Sequence, residues 1–356
     1  MSGQREVSID KLREGMRIAR GVENAYGATL IPNGMILDHN TINKLQKLGL
    51  KSVYIIDETE EVQIDNIRNF TSSYQNIVDD IKEIIDAMSY PGKFEYSHYN
   101  RVKEIVGNVL QIDTSFDIIN MLAQLRNVDE YTYTHSINVG IMAMLLGRWI
   151  KLSENRIKNL IFSGLLHDIG KAKINPKILN KKDKLSDKEY EEMKKHPIYG
   201  YELASKCRLI PNEVAGGILL HHERMDGSGY PLGIKKEKIP LIARVIAIVD
   251  TFDAMVSDRI YRTRRPPFDV FKLFEEELYL YDISLTRVFM KNISKVYIGE
   301  EVELSNGAKG EIVFINENHI AKPIVKVDTE FIDLYKVNLE IRDVFIKDKI
   351  SEEYSH

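Results

Sequence analysis

Between residues 135 and 250 the chain sets histidines and aspartates into sequence that otherwise reads as buried helix. His135 lies in "YTHSINV", His167 and Asp168 close "FSGLLHDIG", His196 falls in "KKHPIYG", His221 and His222 stand side by side, and Asp250 ends "IARVIAIVD". Five of the nine histidines fall between 135 and 222. A buried carboxylate without a partner is costly, and a metal ion is one of the few partners that makes such a cluster favourable. Any fold for this sequence must therefore bring the set together around a common centre. Neighbouring helical residues point about 100° apart, so on a helix "HD" and "HH" would each offer two ligands to adjacent points of a cleft. His39, His98, His319 and His356 have no such company and read as ordinary core or surface residues.

Hydrophobic periodicity places the set in an all-helical region. Residues 1–57 mix short β-prone runs with Gly, Asn and Pro, then give one short helix, a stop at Gly49 and a strand, "SVYIID". Residues 58–114 form a helical linker, with apolar residues every three or four positions in "YQNIVDDIKEIIDAM" and "YNRVKEIVGNVL" and a turn at "SYPGK" between them. The pattern is helical through 115–290. From 291 to 356 the period changes to two, with a hairpin around Asn306-Gly307 and strands at "PIVKV" and "NLEI". The fold class expected is mainly α: a helical bundle core flanked by small β-rich N-terminal and C-terminal modules.

The bulk properties narrow the partners. A formal net charge of −4 argues against a nucleic acid polymer or an anionic membrane as the main partner. The charge-free apolar stretch "SINVGIMAMLLG", 136–147, is shorter than the roughly 20 residues of a membrane span, so no membrane insertion is expected. Cys207 is the single cysteine, and the N-terminus has no apolar secretory core. Both point to the cytoplasm.

Five imidazoles and two carboxylates exceed the needs of one tetrahedral zinc. They suit two metal ions of mixed nitrogen and oxygen ligation bridged by a carboxylate, and no CxxC or HExxH pattern offers another site. Lys171 follows His167 by four residues and Asp168 by three, which on a helix puts it on their face. Asp253, three residues after Asp250, shares that helix face and supports the site from behind. In the loop after His222, Gly227 and Gly229 permit a tight turn and a close approach to a ligand, Tyr230 offers a ring and a hydroxyl, and Pro231 fixes the exit.

"HDIGK" at 167–171, "HHERMDGSGYP" at 221–231 and "DTFDAMVSDRIYR" at 250–262 resemble the HD-GYP family of cyclic dinucleotide phosphodiesterases, over about residues 115–285. The resemblance implies that 115–290 is the catalytic domain and that His135, His167, Asp168, His196, His221, His222 and Asp250 hold two iron or manganese ions. Asp168 would bridge them, and Lys171 would hold a non-bridging oxygen of the scissile phosphate. Gly229, Tyr230 and Asp253 are grouped with the substrate side of the cleft, and Arg259 and Arg262 match positions that contact phosphates or guanine. Some members bind a third metal through a Glu four residues before the first histidine. Here that position is Tyr131, with Glu130 beside it, so no third metal is expected. The implied reaction is hydrolysis of cyclic di-GMP to linear pGpG and on to GMP. Cyclic GMP-AMP or a phosphomonoester is the alternative substrate. A weakly active receptor that docks a partner through the 226–231 loop is the alternative class; the full ligand set with Lys171 argues against it. A homodimer is compatible with the sequence.

Overall fold

The computed structural model describes residues 4–13, 16–23, 29–32, 35, 37, 39–56, 60–89, 96–112, 122, 131–257 and 265–345. The chain forms two compact units, Met1–Ser72 and Ser73–His356. The first unit carries β1 (Gln4–Ser8), β2 (Arg17–Ile18), β3 (Val22–Glu23), β4 (Thr29–Ile31), α1 (His39–Lys47) and β5 (Ser52–Ile56). β1, β5 and β2 make an antiparallel sheet in that order, and β3 pairs with β4. Val7, Ile18, Ile31, Leu37, Leu45 and Ile55 form its core. The 30-residue helix α2 (Glu60–Ser89) starts within this unit and ends within the second.

The second unit is mostly helical: α3 (Tyr96–Gln111), α4 (Tyr131–Trp149), α5 (Glu154–Leu166), a 3₁₀ turn (Ile169–Lys173), α6 (Pro176–Leu179), α7 (Asp187–Met193), α8 (His196–Lys206), α9 (Asn212–Leu220), α10 (Leu241–Val256), α11 (Pro267–Glu276) and α12 (Ile283–Ile293). The charge-free stretch of α4 is a core helix, with Ile137, Val139, Ile141, Met142, Met144 and Leu146 all buried. Its backbone lies directly on α5, because a Cβ placed on Gly164 would sit 2.6 Å from the Cα of Gly140. Helix α10 brings Ile242, Val245, Ile246, Ile248, Val249 and Phe252 into the same core. Among the described residues no helix is long and apolar enough to cross a membrane.

The chain then builds an antiparallel sheet from β6 (Glu301–Leu304), β7 (Lys309–Asn316), β8 (His319–Val327), β9 (Glu330–Asp333) and β10 (Ile341–Phe345), in the order β10-β6-β7-β8-β9. Gly307, at φ +84°, turns the β6–β7 hairpin where the sequence places it. The strand expected at "NLEI" instead begins at its last residue, Ile341, and runs on through Phe345 with a register shift. Strand β9 escapes the sequence pattern because it is a four-residue edge strand with little buried surface, joined to β8 by a turn in which Asp328 takes φ +51°. The fold is thus mainly α with small antiparallel sheets toward both ends.

The α4–α5 contact gives a test of this packing. Gly164→Ala forces a methyl against the Gly140 backbone, so it should cost about 1–3 kcal/mol and lower the melting midpoint by several degrees. An unchanged midpoint in a thermal melt would mean that the two helices do not touch there.

Candidate metal centre

Three of the site's histidines are oriented by carbonyls that a preceding helix leaves without partners: His167 and His221 cap the helices that supply theirs, and His196 opens the next helix, α8. The last four carbonyls of an α-helix have no intrahelical N–H to accept. Nδ1 of His167 lies 2.8 Å from the Gly164 carbonyl near the end of α5. Nδ1 of His221 lies 2.8 Å from the Ile218 carbonyl near the end of α9, and Nδ1 of His196 lies 2.8 Å from the Met193 carbonyl at the end of α7. A carbonyl can only accept, so each Nδ1 carries the hydrogen. The "HD" and "HH" pairs therefore do not lie within helices, as the sequence reading had them. Helix α5 ends at Leu166, and Asp168 has left helical geometry at φ −97°, ψ 4°. The chain tightens there because the 3₁₀ turn docks on α8 at Gly170, where a Cβ would meet the His196 carbonyl at 1.9 Å. The same contact sets His196 beside Asp168.

The fourth histidine is held from α10. His135 on α4 donates its Nδ1 hydrogen to Asp253 Oδ2, 2.8 Å away, because a carboxylate oxygen cannot donate. Asp253 also accepts from Asn138 Nδ2 at 3.2 Å and is 0% exposed. It positions His135 from behind, so its grouping with the substrate side of the cleft is corrected: no substrate can reach it.

With Nδ1 committed in four rings, each Nε2 turns inward. His135 Nε2 lies 3.1 Å from Asp250 Oδ1, and His196 Nε2 lies 3.3 Å from His221 Nε2. His167 Nε2 is 3.3 Å from Asp168 Oδ2, and His196 Nε2 is 3.2 Å from Asp168 Oδ1. His167 Nε2 and Asp168 Oδ1 are buried and make no hydrogen bond. Lone pairs facing lone pairs out of water repel unless a cation lies between them. The donor atoms fall into two clusters, His135–His167–Asp250 and Asp168–His196–His221–His222, each within 4.8 Å. Asp168 turns Oδ2 toward His135 and His167 and Oδ1 toward His196. All seven residues named from the sequence as metal ligands are thus brought together, and the donor set fits metal ions.

The electrostatics describe the same demand for positive charge. Burial opposes a charge on His167, yet Asp168 and Asp250 hold its proton up to about 10. Burial, then His167 and His196, hold His221 neutral down to about 3. Burial also opposes ionisation of both aspartates. Lys171 and His167 beside Asp168, and His135 and His167 beside Asp250, nevertheless hold these carboxyls well below the usual range. Lys171 pairs with Asp168 Oδ2 and keeps 26% of its side chain exposed. It reaches that oxygen from the 3₁₀ turn, in which residues three apart eclipse, rather than from a shared α-helical face.

At the mouth, Tyr230 stacks on His222 with ring centroids 4.6 Å apart. Gly227 turns the loop at φ +86°. The close approach at Gly229 is to the chain itself rather than to a ligand, since a Cβ there would sit 2.4 Å from His222 O and Arg224 N. Sequence reasoning gave Glu223 no role, yet its buried carboxylate accepts from Leu232, Gly233 and Ile234 N–H at 2.7, 3.1 and 3.0 Å. Its place directly after "HH" was the available signal. Asn138 was also missed, and nothing in its sequence surroundings marks it. Arg259 and Arg262 lie outside the described residues, as do Glu130 and the side chain of Tyr131, on which the expectation about a third metal rests.

Residues 117–285 match the HD domain family model. A cyclic di-GMP phosphodiesterase of Pseudomonas aeruginosa is 34% identical over 226 residues, covering 64% of this chain and 54% of that protein. A cyclic di-GMP phosphodiesterase of Thermotoga maritima is 35% identical over 192 residues, covering 52% of each. A 3'3'-cGAMP-specific phosphodiesterase of Vibrio cholerae is 34% identical over 151 residues, covering 42% of this chain and 32% of that protein. The chain spans about half the length of the first two. An HDG"Y"P protein from Bdellovibrio bacteriovorus shares the fold with a TM-score of 0.51 at 15% identity, over 81% of this chain and 98% of that one.

The proton on His167 and a metal ion compete for the same lone pair. Its proton is held to about 10, so apparent metal affinity should rise with pH, by about tenfold per unit for each proton displaced. Chelator competition with manganese at pH 6.5 and 8.5 should show a gain of about a hundredfold. Equal affinity at the two values would mean that the ion binds elsewhere.

Proposed function

We propose that this chain, a member of the HD-GYP family of HD-domain proteins, hydrolyses a cyclic dinucleotide at a centre of two transition-metal ions. The observation that carries the reading is the inward convergence of imidazole lone pairs on two buried carboxylates, which only cations reconcile. His135, His167 and Asp250 would hold one ion, and His196, His221 and His222 the other. Asp168, with Oδ2 toward His167 and Oδ1 toward His196, would supply the carboxylate between them. Nitrogen and oxygen donors without thiolate suit iron or manganese. Bound metals supply charge neutralisation on phosphoryl oxygens and lower the pKa of water.

The rest is the work of the chain's own groups. Lys171, about a quarter exposed and paired with Asp168, can exchange that carboxylate for a phosphate oxygen once positive charge occupies the site. Tyr230 gives the mouth an aromatic face fixed against His222, and burial pushes its hydroxyl up so that it stays a neutral donor. Cyclic di-GMP is the first substrate, to pGpG and then GMP, since the P. aeruginosa and T. maritima relatives are named for it. Cyclic GMP-AMP is the second, on the V. cholerae relative. The candidate ligands fall inside 115–290, the proposed catalytic domain. The modules at 1–57 and 291–356 and the linker at 58–114 are assigned to regulation or homodimer formation, and the 226–231 loop is open to a protein partner. Cys207 and the composition suit the cytoplasm.

Product chromatography on cyclic di-GMP, cyclic GMP-AMP and their linear products, with anaerobically reconstituted protein, tests the reading. Asp168→Ala should lose metal and activity together. Lys171→Ala should keep its metal and turn over about 10²-fold more slowly, the scale for losing one charge-stabilising group. A metal-loaded wild type that cleaves none of the panel would refute the proposal.

A further inference from the structure

A hydrogen-bonded chain runs from the candidate metal centre to α2. Tyr74, 3% exposed on the part of α2 within the second unit, donates its hydroxyl hydrogen to Asn138 Oδ1 at 2.8 Å. Asn138 donates from Nδ2 to Asp253 Oδ1 at 3.2 Å, and Asp253 Oδ2 accepts from His135 Nδ1 at 2.8 Å. The polarity of this chain is fixed by chemistry. The carboxylate of Asp253 can only accept, so the amide group of Asn138 must face it, which leaves the Asn138 oxygen for the Tyr74 hydroxyl. All four side chains are buried, so no water substitutes readily for a missing link. The ring of His135 is thus aimed through three successive hydrogen bonds from a helix that contributes no ligand.

We propose that Tyr74 is a positioning residue for the metal centre, and that through it the placement of α2 sets how tightly His135 holds metal. Helix α2 is continuous from Glu60 to Ser89, with its first residues in the N-terminal unit. A shift of α2 along or about its axis moves the Tyr74 hydroxyl away from Asn138. Asn138 and Asp253 then lose their fixed orientation, and with it the aim of His135 Nε2. The coupling is reciprocal by linkage: metal in the site stabilises the α2 position that completes the chain.

The inference rests on the metal-centre reading, and its test separates the two. Full-length protein is loaded with manganese, and affinity is read by chelator competition. Tyr74→Phe keeps the ring and removes only the hydroxyl, and should weaken metal binding about fivefold, the weight of one neutral hydrogen bond. Asp253→Asn should weaken it by 10–100-fold, the scale for groups that orient metal ligands. In the Asp253→Asn background Tyr74→Phe should add nothing, because the link it acts through is already broken. Hydrogen exchange provides the reciprocal readout: manganese should slow exchange of the amides of residues 73–89 in wild type, and not in Tyr74→Phe. Wild type that binds no metal would refute the metal centre itself. Metal-binding wild type with an unaltered Tyr74→Phe, or additive effects in the double variant, would overturn the role of Tyr74 and leave the centre standing.

Discussion

The structure depends on a crowding of buried acceptor atoms that only a proton or a metal ion relieves. His196 and His221 point their Nε2 atoms at each other across 3.3 Å, and His135 points Nε2 at a carboxylate oxygen at 3.1 Å. The tautomer of each ring is fixed by an acceptor on the far side, so rotation of hydrogens does not ease the conflict. In water such groups would turn away or recruit solvent. Here protein seals them from water, His135, His167, His196 and His221 each being at most 2% exposed. The helical core is therefore a device for holding acceptors together, and a cation is what makes the arrangement favourable. The proton that His167 keeps in the absence of metal is the smallest such cation.

The same device accounts for where helices stop. Ending α5, α7 and α9 at the site leaves a free carbonyl three residues before each of His167, His196 and His221. Those carbonyls need donors, and the imidazoles need something to fix their tautomer, so one hydrogen bond serves both requirements. The partial negative charge of a helix C-terminus also favours cations nearby. The ends of α5 and α9 thus act on ring orientation and potential together at His167 and His221, while the end of α7 orients His196.

Much of this was legible in the sequence because its chemistry is concentrated in adjacent residues. "HDIGK", "HHERMDGSGYP" and the aspartate ending "IARVIAIVD" each place a polar group against an apolar run, which periodicity alone exposes. The mainly helical core and the hairpin at Gly307 followed from the same periodicity and from turn chemistry. The helix ends did not. "FSGLLHDIG" continues the apolar pattern through Asp168, and what stops α5 is the tertiary contact of Gly170 with the backbone of α8, 26 residues further on. Tyr74 and Asn138 were illegible for a related reason. Each is one polar residue in an amphipathic helix, and only the packing of α2, α4 and α10 reveals that they meet Asp253.

Glu223 shows how the loop and the centre become one object. A buried carboxylate is tolerated only when its oxygens are satisfied, and three consecutive N–H groups from Leu232 to Ile234 satisfy this one. The backbone of Glu223 follows His222 directly, so the same residue is tied to the ligand pair by the chain and to the far end of the loop by hydrogen bonds. Between those two anchors the loop has little choice: Tyr230 N–H returns to the His222 carbonyl at 3.2 Å, and the Tyr230 ring stacks on the His222 ring. The glycine at 229 lets the returning strand of the loop lie against residues 222–224 without a side chain in the way. The aromatic lip that a substrate would meet is therefore held by the residue beside His222, a candidate metal ligand.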